Sequence, residues 1–228
     1  MNFRPLAEQR GFLYCYPDGT PNRLGYRFWN ATDACCDFWN TGVDDAGYLR
    51  GVIEEIARRF AVDPKRIYLV GILNGGFLAY RMACQFADLI AGIATVNGAT
   101  LLGPSRYEPS EPVNILHINT TDDPVVPYEG GIVNISGVPK LPPYPGAVET
   151  VQTWAGYNGS SDPVTDAAPS LDLVEDVAGL ETVVTRYMTC PLGGAVELWK
   201  INGGGHTPTF SAEFSPRVID WLLAHPKP

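Results

Sequence analysis

The sequence has no long hydrophobic run, and charged side chains make up only 18% of its 228 residues. No apolar stretch approaches the roughly 20 residues of a membrane-spanning helix, so we expect no membrane partner. The opening residues, MNFRPLAEQRGF, lack the apolar core of a signal peptide, and we expect none in this chain. Hydrophobic residues account for 45%, which argues against disorder and predicts one domain, residues 1–228, with a sizeable core.

Basic residues are in the minority, with 16 Lys and Arg against 25 Asp and Glu and a formal net charge of -9. An acidic surface repels both nucleic-acid phosphates and anionic lipid headgroups. We therefore expect no nucleic-acid partner.

The sequence has five cysteines, an odd number, and no C-x-x-C pair. A zinc site is therefore not expected, and we predict no metal. Adjacent Cys35 and Cys36, with Cys84 further along, allow one disulfide in an oxidising compartment. Several buried free thiols are the alternative, and the sequence does not decide between them.

Apolar strands alternate with amphipathic helices, which is the pattern of a mostly parallel sheet covered on both faces. Strands are predicted within residues 11–17, 66–70, 90–99, 113–119, 181–188 and 195–201, with a long polar loop at 159–178. Helices are predicted within residues 43–60, 74–88, 145–159 and 215–225. In the first helix the residues expected to face inward are Leu49, Val52, Ile53, Ile56, Ala57 and Phe60, and Asp44 or Asp45 is expected to cap its start.

Three loops at the carboxyl ends of predicted strands hold candidate catalytic groups, because functional groups collect at that edge of parallel sheets. They are a G-x-x-x-G turn with Leu73 in its middle, a loop containing Asp123, and a glycine-rich loop containing His206. Turn, acid and histidine follow in the chain order of a hydrolase with a nucleophile elbow. Asp123 would fix the tautomer of His206, and the amide of Asn74 would donate to an oxyanion.

Each of these residues also has a simpler interpretation. A histidine after a glycine run is more often a loop residue than a catalyst, and Asp123 could cap a turn. Aromatic residues including Trp29 and Trp39 could line a substrate cleft, but packing of their long loop is the favoured interpretation. Tyr128 is a further candidate for substrate binding.

Five stretches of the chain resemble the esterase family that contains polyhydroxybutyrate depolymerases, feruloyl esterases and acetylxylan esterases. They are GFLYCYPDGT, RFWNATDACCDF, the segment from GVDDAGYL to AYRMAC, LHINTTDDPVVPYEGG and INGGGHTP. The resemblance implies an α/β-hydrolase fold that cleaves carboxylic esters without a cofactor. It places the nucleophile at residue 73, the acid at Asp123 and the base at His206.

The sequence departs from this family in three places. Leu73 stands where the family has serine, and leucine has no lone pair to attack a carbonyl. Only about ten residues precede GFLYCYP, so the N-terminal strands and their oxyanion loop are expected to be absent. Ser160 stands where the family often has a cysteine that pairs with the one at Cys190, so Cys190 is expected to be unpaired.

These observations predict an α/β-hydrolase-like sheet without its N-terminal strands. The expected function is that of a carboxylic ester hydrolase by lineage, severely impaired or inactive because of Leu73. The expected partner is a small ester, a polyester or a plant cell-wall ester, and self-association through unpaired sheet edges is a further expectation. The alternatives are a non-catalytic protein that binds ligands in the former ester cleft, and a fragment without activity of its own.

Overall fold

The computed structural model describes residues 2–103 and 108–227. Its helices are α1 (Arg4–Arg10), α2 (Asp45–Arg59), α3 (Asn74–Gln85), α4 (Ala147–Tyr157) and α5 (Phe214–Ala224). The main sheet contains β3 (Tyr68–Ile72), β4 (Gly92–Val96), β5 (Asn114–Thr120), β8 (Pro163–Thr165), β9 (Thr182–Tyr187) and β10 (Val196–Ile201). Two small antiparallel ladders join β1 (Thr20–Pro21) to β2 (Arg27–Phe28) and β6 (Gly130–Gly131) to β7 (Tyr144–Pro145).

The six strands of the main sheet lie in the order β3-β4-β5-β10-β9-β8. The first four strands are parallel, with Tyr68 beside Gly92 and Val96 beside Ile118. Strand β9 runs antiparallel to β10, and β8 runs antiparallel to β9. The carboxyl ends of β3, β4, β5 and β10 therefore meet at one edge. The predicted mostly parallel sheet is confirmed, and this edge carries the three loops that hold the candidate catalytic groups.

Both faces of the sheet are covered because its central strands are apolar at successive positions. Ile93 packs on the face that carries α3 and α4, together with Tyr80 and Trp154. The next residue, Ala94, packs on the opposite face with Phe214 of α5. Alternate side chains of a strand point to opposite faces, so a strand buried on both sides needs apolar residues throughout.

Helix α2 begins where the sequence predicts, since the Asp44 carboxylate accepts a hydrogen bond of 3.0 Å from the Gly47 amide. Its predicted inward face is only partly confirmed. Phe60 is 54% exposed and Ala57 is also exposed, while the other expected core residues are half-buried. The apolar face of this helix is therefore incompletely covered.

The prediction of a strand at residues 11–17 is wrong. These residues lie outside every strand, and Leu13 and Tyr16 are 55% and 73% exposed. Apolar composition favours a strand, but a strand also needs a hydrogen-bonded neighbour. Among the described residues β3 pairs only with β4, and residues 11–17 pair with no strand.

Two further differences concern short elements. The loop predicted at 159–178 contains β8, which pairs with β9 at the edge of the sheet. Helix α1 was not predicted, although Pro5 at its start and Gly11 in the left-handed conformation at its end are ordinary boundary residues. None of the helices in the described parts of the chain is both long and apolar enough to cross a membrane.

Candidate active site

The turn between β3 and α3 has a backbone that admits little variation. Leu73 adopts φ 54° and ψ -118°, a left-handed conformation that side chains other than glycine rarely take, and its amide donates to the Val96 carbonyl at 2.8 Å. A Cβ on Gly71 would lie 2.1 Å from the Gly75 carbonyl oxygen, so glycine is required there. The turn is therefore a sharp elbow that presents residue 73 at the carboxyl edge of the sheet.

Asp123 and His206 form a hydrogen-bonded pair at the same edge. Nδ1 of His206 lies 2.9 Å and 3.0 Å from the two carboxylate oxygens of Asp123. Oδ1 of Asp123 also accepts the amides of Val125 and Val126 at 2.8 Å and 2.9 Å. A buried carboxylate held by this many donors orients the imidazole and leaves Nε2 of His206 for the site.

The buried side chain of Tyr144 lies close enough to Asp123 for its pKa to be affected by the carboxylate charge. Burial, and after it the negative charge of Asp123, raises the pKa of Tyr144, whose hydroxyl donates to the Pro127 carbonyl at 3.2 Å. The side chain of Asp123 is fully buried, whereas that of His206 is 28% exposed. The acid is thus enclosed and the base reaches solvent.

Asn97 holds the histidine loop and was missed from the sequence. Its Oδ1 accepts the Thr120 amide at 2.9 Å, and its Nδ2 donates to the carbonyls of Gly205 and His206 at 3.4 Å and 3.3 Å. The residue is fully buried, with φ 47°. A polar residue directly after the apolar strand β4, followed by Gly98, was the available signal.

The elbow and the histidine loop are linked through two adjacent residues. The Leu73 amide donates a hydrogen bond to the Val96 carbonyl, and Nδ2 of Asn97 donates one to the His206 carbonyl. Residue 73 and His206 are therefore anchored to the same end of β4, which brings together the predicted nucleophile position, acid and base.

Asn74, the predicted oxyanion donor, begins helix α3, and its side chain bonds to the aromatic loop. Its amide is the first of helix α3, where backbone N–H groups have no partner within the helix. Its side chain accepts the Trp29 amide at 2.6 Å and donates to the Trp29 carbonyl at 2.8 Å. This pair of bonds fastens the long aromatic loop to the elbow.

The three candidate substrate-binding residues have different surroundings. Trp29 is half-buried beside the elbow and stacks on Tyr48 at 6.5 Å. The guanidinium of Arg23 lies 5.0 Å from the ring of Trp39. Tyr128 is 9% exposed and packs in a core cluster, and burial raises its pKa to about 12.

Cys35 and Cys36 are bonded to each other, so the structure has the one disulfide that the sequence allows, and it joins the two adjacent cysteines without Cys84. Cys84 and Cys190 are free, and burial raises the pKa of Cys84 to about 12. The unpaired state expected for Cys190 is therefore confirmed. The described residues contain no group of three or more His, Cys, Asp or Glu side chains suited to a metal.

A cavity of about 1160 Å³ is lined by Trp29, Leu73 and Asn74 and by the residues of β3. Asp123 and His206 are not among its lining residues. The cavity therefore adjoins the nucleophile position without being lined by the acid or the base.

Elbow, acid and histidine at successive strand ends of a mostly parallel sheet define the α/β-hydrolase class. The acetyl xylan esterase of Aspergillus awamori has the same fold, with a TM-score of 0.61 at 15% identity, covering 96% of this chain and 80% of that one. No family model matches the sequence.

The relatives that are similar in sequence are named as esterases. Feruloyl esterase B of Piromyces equi is 31% identical over 204 residues, which are 88% of this chain and 34% of the relative. A bifunctional acetylxylan esterase/xylanase of Neocallimastix patriciarum is 29% identical over 56% of this chain and 17% of its own length. The resemblance to α/β-hydrolase esterases is thus confirmed by these relatives, and this chain spans about a third of the length of the first one.

Proposed function

We propose that this chain is an esterase-family domain whose catalytic site has lost its nucleophile, so that serine-type hydrolysis of carboxylic esters is negligible. The observation that supports this is Leu73 in the strained elbow position. A leucine side chain offers no lone pair to a carbonyl carbon and no proton to His206. Removal of a triad nucleophile lowers kcat by about 10⁶ in a serine hydrolase.

The remaining groups have defined roles in this proposal. Asp123 holds His206 with Nε2 free to accept a proton, and the Asn74 amide is positioned as an oxyanion donor. A water molecule activated by His206 could attack an ester, but the reaction lacks the covalent intermediate that divides a difficult step into two easier ones. We expect such hydrolysis to be slow.

A second candidate function is binding of an aromatic or acyl ester without turnover. The cavity that adjoins Trp29 and Leu73 favours this function, because ligand sites are concave and mainly apolar. Leu73 makes the cavity more apolar than serine would. The ligand classes follow from the relatives' names, which specify feruloyl and acetylxylan esters; a polyester remains a prediction from the sequence alone.

Restoring the nucleophile tests the main proposal. We expect the unaltered chain and Leu73→Ala to hydrolyse p-nitrophenyl acetate no faster than His206→Ala. Leu73→Ser should gain at least about 10³ in kcat/KM if the rest of the site is intact, since it recovers a group worth about 10⁶. The double variant Leu73→Ser, His206→Ala should lose that gain.

Turnover by the unaltered chain at about 10 s⁻¹, the median for enzymes, with loss in His206→Ala, would refute the proposed inactivity. Calorimetry with methyl ferulate separates the second function. Saturable binding without turnover supports it, and absence of binding to both the unaltered chain and Leu73→Ala contradicts it.

A further inference from the structure

The outer edge of β3 is open. Among the described residues β4 is the sole neighbour of β3 in the main sheet. The carbonyl of Ile67 accepts from Ala91, and the amide of Leu73 donates to Val96, both at 2.8 Å, so these residues face β4. Because backbone direction alternates along a strand, the N–H and C=O groups of Tyr68, Val70 and Ile72 point to the open side.

A second extended segment lies on the other side of the opening. Residues 12–17, which we call the edge segment, have the sequence FLYCYP and contain no charged side chain. The rings of Tyr14 and Tyr16 are 5.4 Å apart, as expected for residues i and i+2 of an extended chain, and Tyr14 contacts Phe3 at 6.1 Å. The edge segment is therefore strand-like in conformation but belongs to no sheet.

The space between β3 and the edge segment, which we call the edge groove, belongs to the cavity of about 1160 Å³ that both of them line. Half-buried apolar residues of α2, namely Leu49, Val52, Ile53 and Ile56, also line this cavity. A groove lined by an unpaired strand, by the edge segment and by apolar helix residues suits an extended apolar peptide.

We propose that the edge segment of a second copy of this chain occupies the edge groove, and that the exchange is reciprocal. Across the twofold axis the order would be β3, edge segment of the partner, own edge segment, and β3 of the partner. The open edge of β3 is then paired in both copies, and the interface is closed. This proposal is independent of any esterase activity.

The edge segment itself is the occupant that the observations favour. Its six residues are close in length to the five-residue strand β3, and the segment itself brings no charged side chain into the groove. Leu13, Tyr14 and Tyr16 are 55%, 41% and 73% exposed, so the exchange covers apolar surface that one copy leaves in water. The segment also leads directly to α1 through Gly11, whose left-handed conformation marks a change of chain direction.

Sedimentation equilibrium of the chain over a micromolar concentration series tests the proposal. We expect a reversible monomer–dimer equilibrium. Leu13→Asp should weaken association by about tenfold or more, because the exchange would bury an unpaired carboxylate. Leu180→Asp is the matched control, since Leu180 is 59% exposed and lies outside the groove, and it should leave association unchanged.

Hydrogen exchange identifies the interface. The amides of Val70 and Ile72 should gain protection as the dimer forms and lose that gain in Leu13→Asp. Either a monomer at every concentration or a dimer that leaves Val70 and Ile72 unprotected would overturn the proposal. Equal dimerisation of Leu13→Asp and Leu180→Asp would do so as well.

Discussion

Single residues at the carboxyl edge of the sheet determine what the site can do. Leu73, Asp123 and His206 were predicted from their spacing after apolar strands, and the structure brings them to one sheet edge. Asn97 was not predicted, because its hydrogen bonds run to Thr120 and His206, which are distant in the chain. Local sequence identifies residues with chemical potential, whereas the residues that hold them in place depend on tertiary contacts.

Substitutions at Asn97 separate its two structural roles. Asn97→Gly removes the hydrogen bonds to Thr120 and the histidine loop, so the free energy of unfolding should fall by about 2–4 kcal/mol. Asn97→Ala removes the same bonds but keeps a Cβ at φ 47°, so it should be about 1–2 kcal/mol less stable than Asn97→Gly. Urea denaturation measures both. A stability of Asn97→Ala equal to or above that of Asn97→Gly would contradict this account.

At the scale of elements, the approach of α3 to β4 depends on two facing glycines. A Cβ on Gly98 would lie 2.8 Å from the carbonyl carbon of Gly76 and 3.0 Å from the Phe77 nitrogen. The contact brings the start of α3 against the end of β4, where both the elbow and the histidine loop are anchored. The sequence predicted both elements with nearly correct bounds, but it did not show that they touch through glycine.

Replacement of Gly98 by alanine should therefore be destabilising by about 1–3 kcal/mol, because backbone atoms must move. Gly51→Ala is the control, since Gly51 lies in α2 and a Cβ there meets no atom within 4 Å. Alanine at that exposed helical position should be stabilising by about 0.5–1 kcal/mol. Urea unfolding of the two variants should give shifts of opposite sign, and destabilisation by both would count against the contact argument.

The error at residues 11–17 also belongs to this scale. Apolar composition cannot distinguish a segment that pairs in a sheet from one that lies beside an unfilled groove. Strand β8, with all three residues exposed, was missed for the converse reason. Its assignment depends on pairing with β9 and not on hydrophobic pattern.

At the scale of the whole molecule, the buried titratable side chain of His117 opposes folding at low pH. His117 is fully buried in β5, with Nδ1 at 2.9 Å from the Tyr80 hydroxyl and 3.0 Å from that of Thr95. Burial lowers the pKa of His117 to about 3, against 6.5 when exposed. Because the folded pKa is depressed, the unfolded chain binds the proton first, and stability present above pH 6.5 is lost as the pH falls toward 3.

We expect His117 alone to lower the free energy of unfolding by up to about 1.4 kcal/mol per pH unit in this window. Carboxylates that titrate in the same range contribute as well, so His117→Gln is the comparison that isolates the histidine. Urea denaturation at pH 7, 6, 5 and 4 should show a smaller loss for the variant. Parallel pH dependences of the two proteins would exclude the assigned pKa.

The backbone of Leu73 has a consequence for how such proteins are recognised. A sequence search for the pattern G-x-S-x-G does not detect this chain, because residue 73 is leucine. A search for a non-glycine residue at positive φ between a buried parallel strand and a helix would retrieve it. The elbow conformation at residue 73 is therefore present without the serine that defines the sequence motif, and a search by backbone conformation detects what a search by sequence pattern does not.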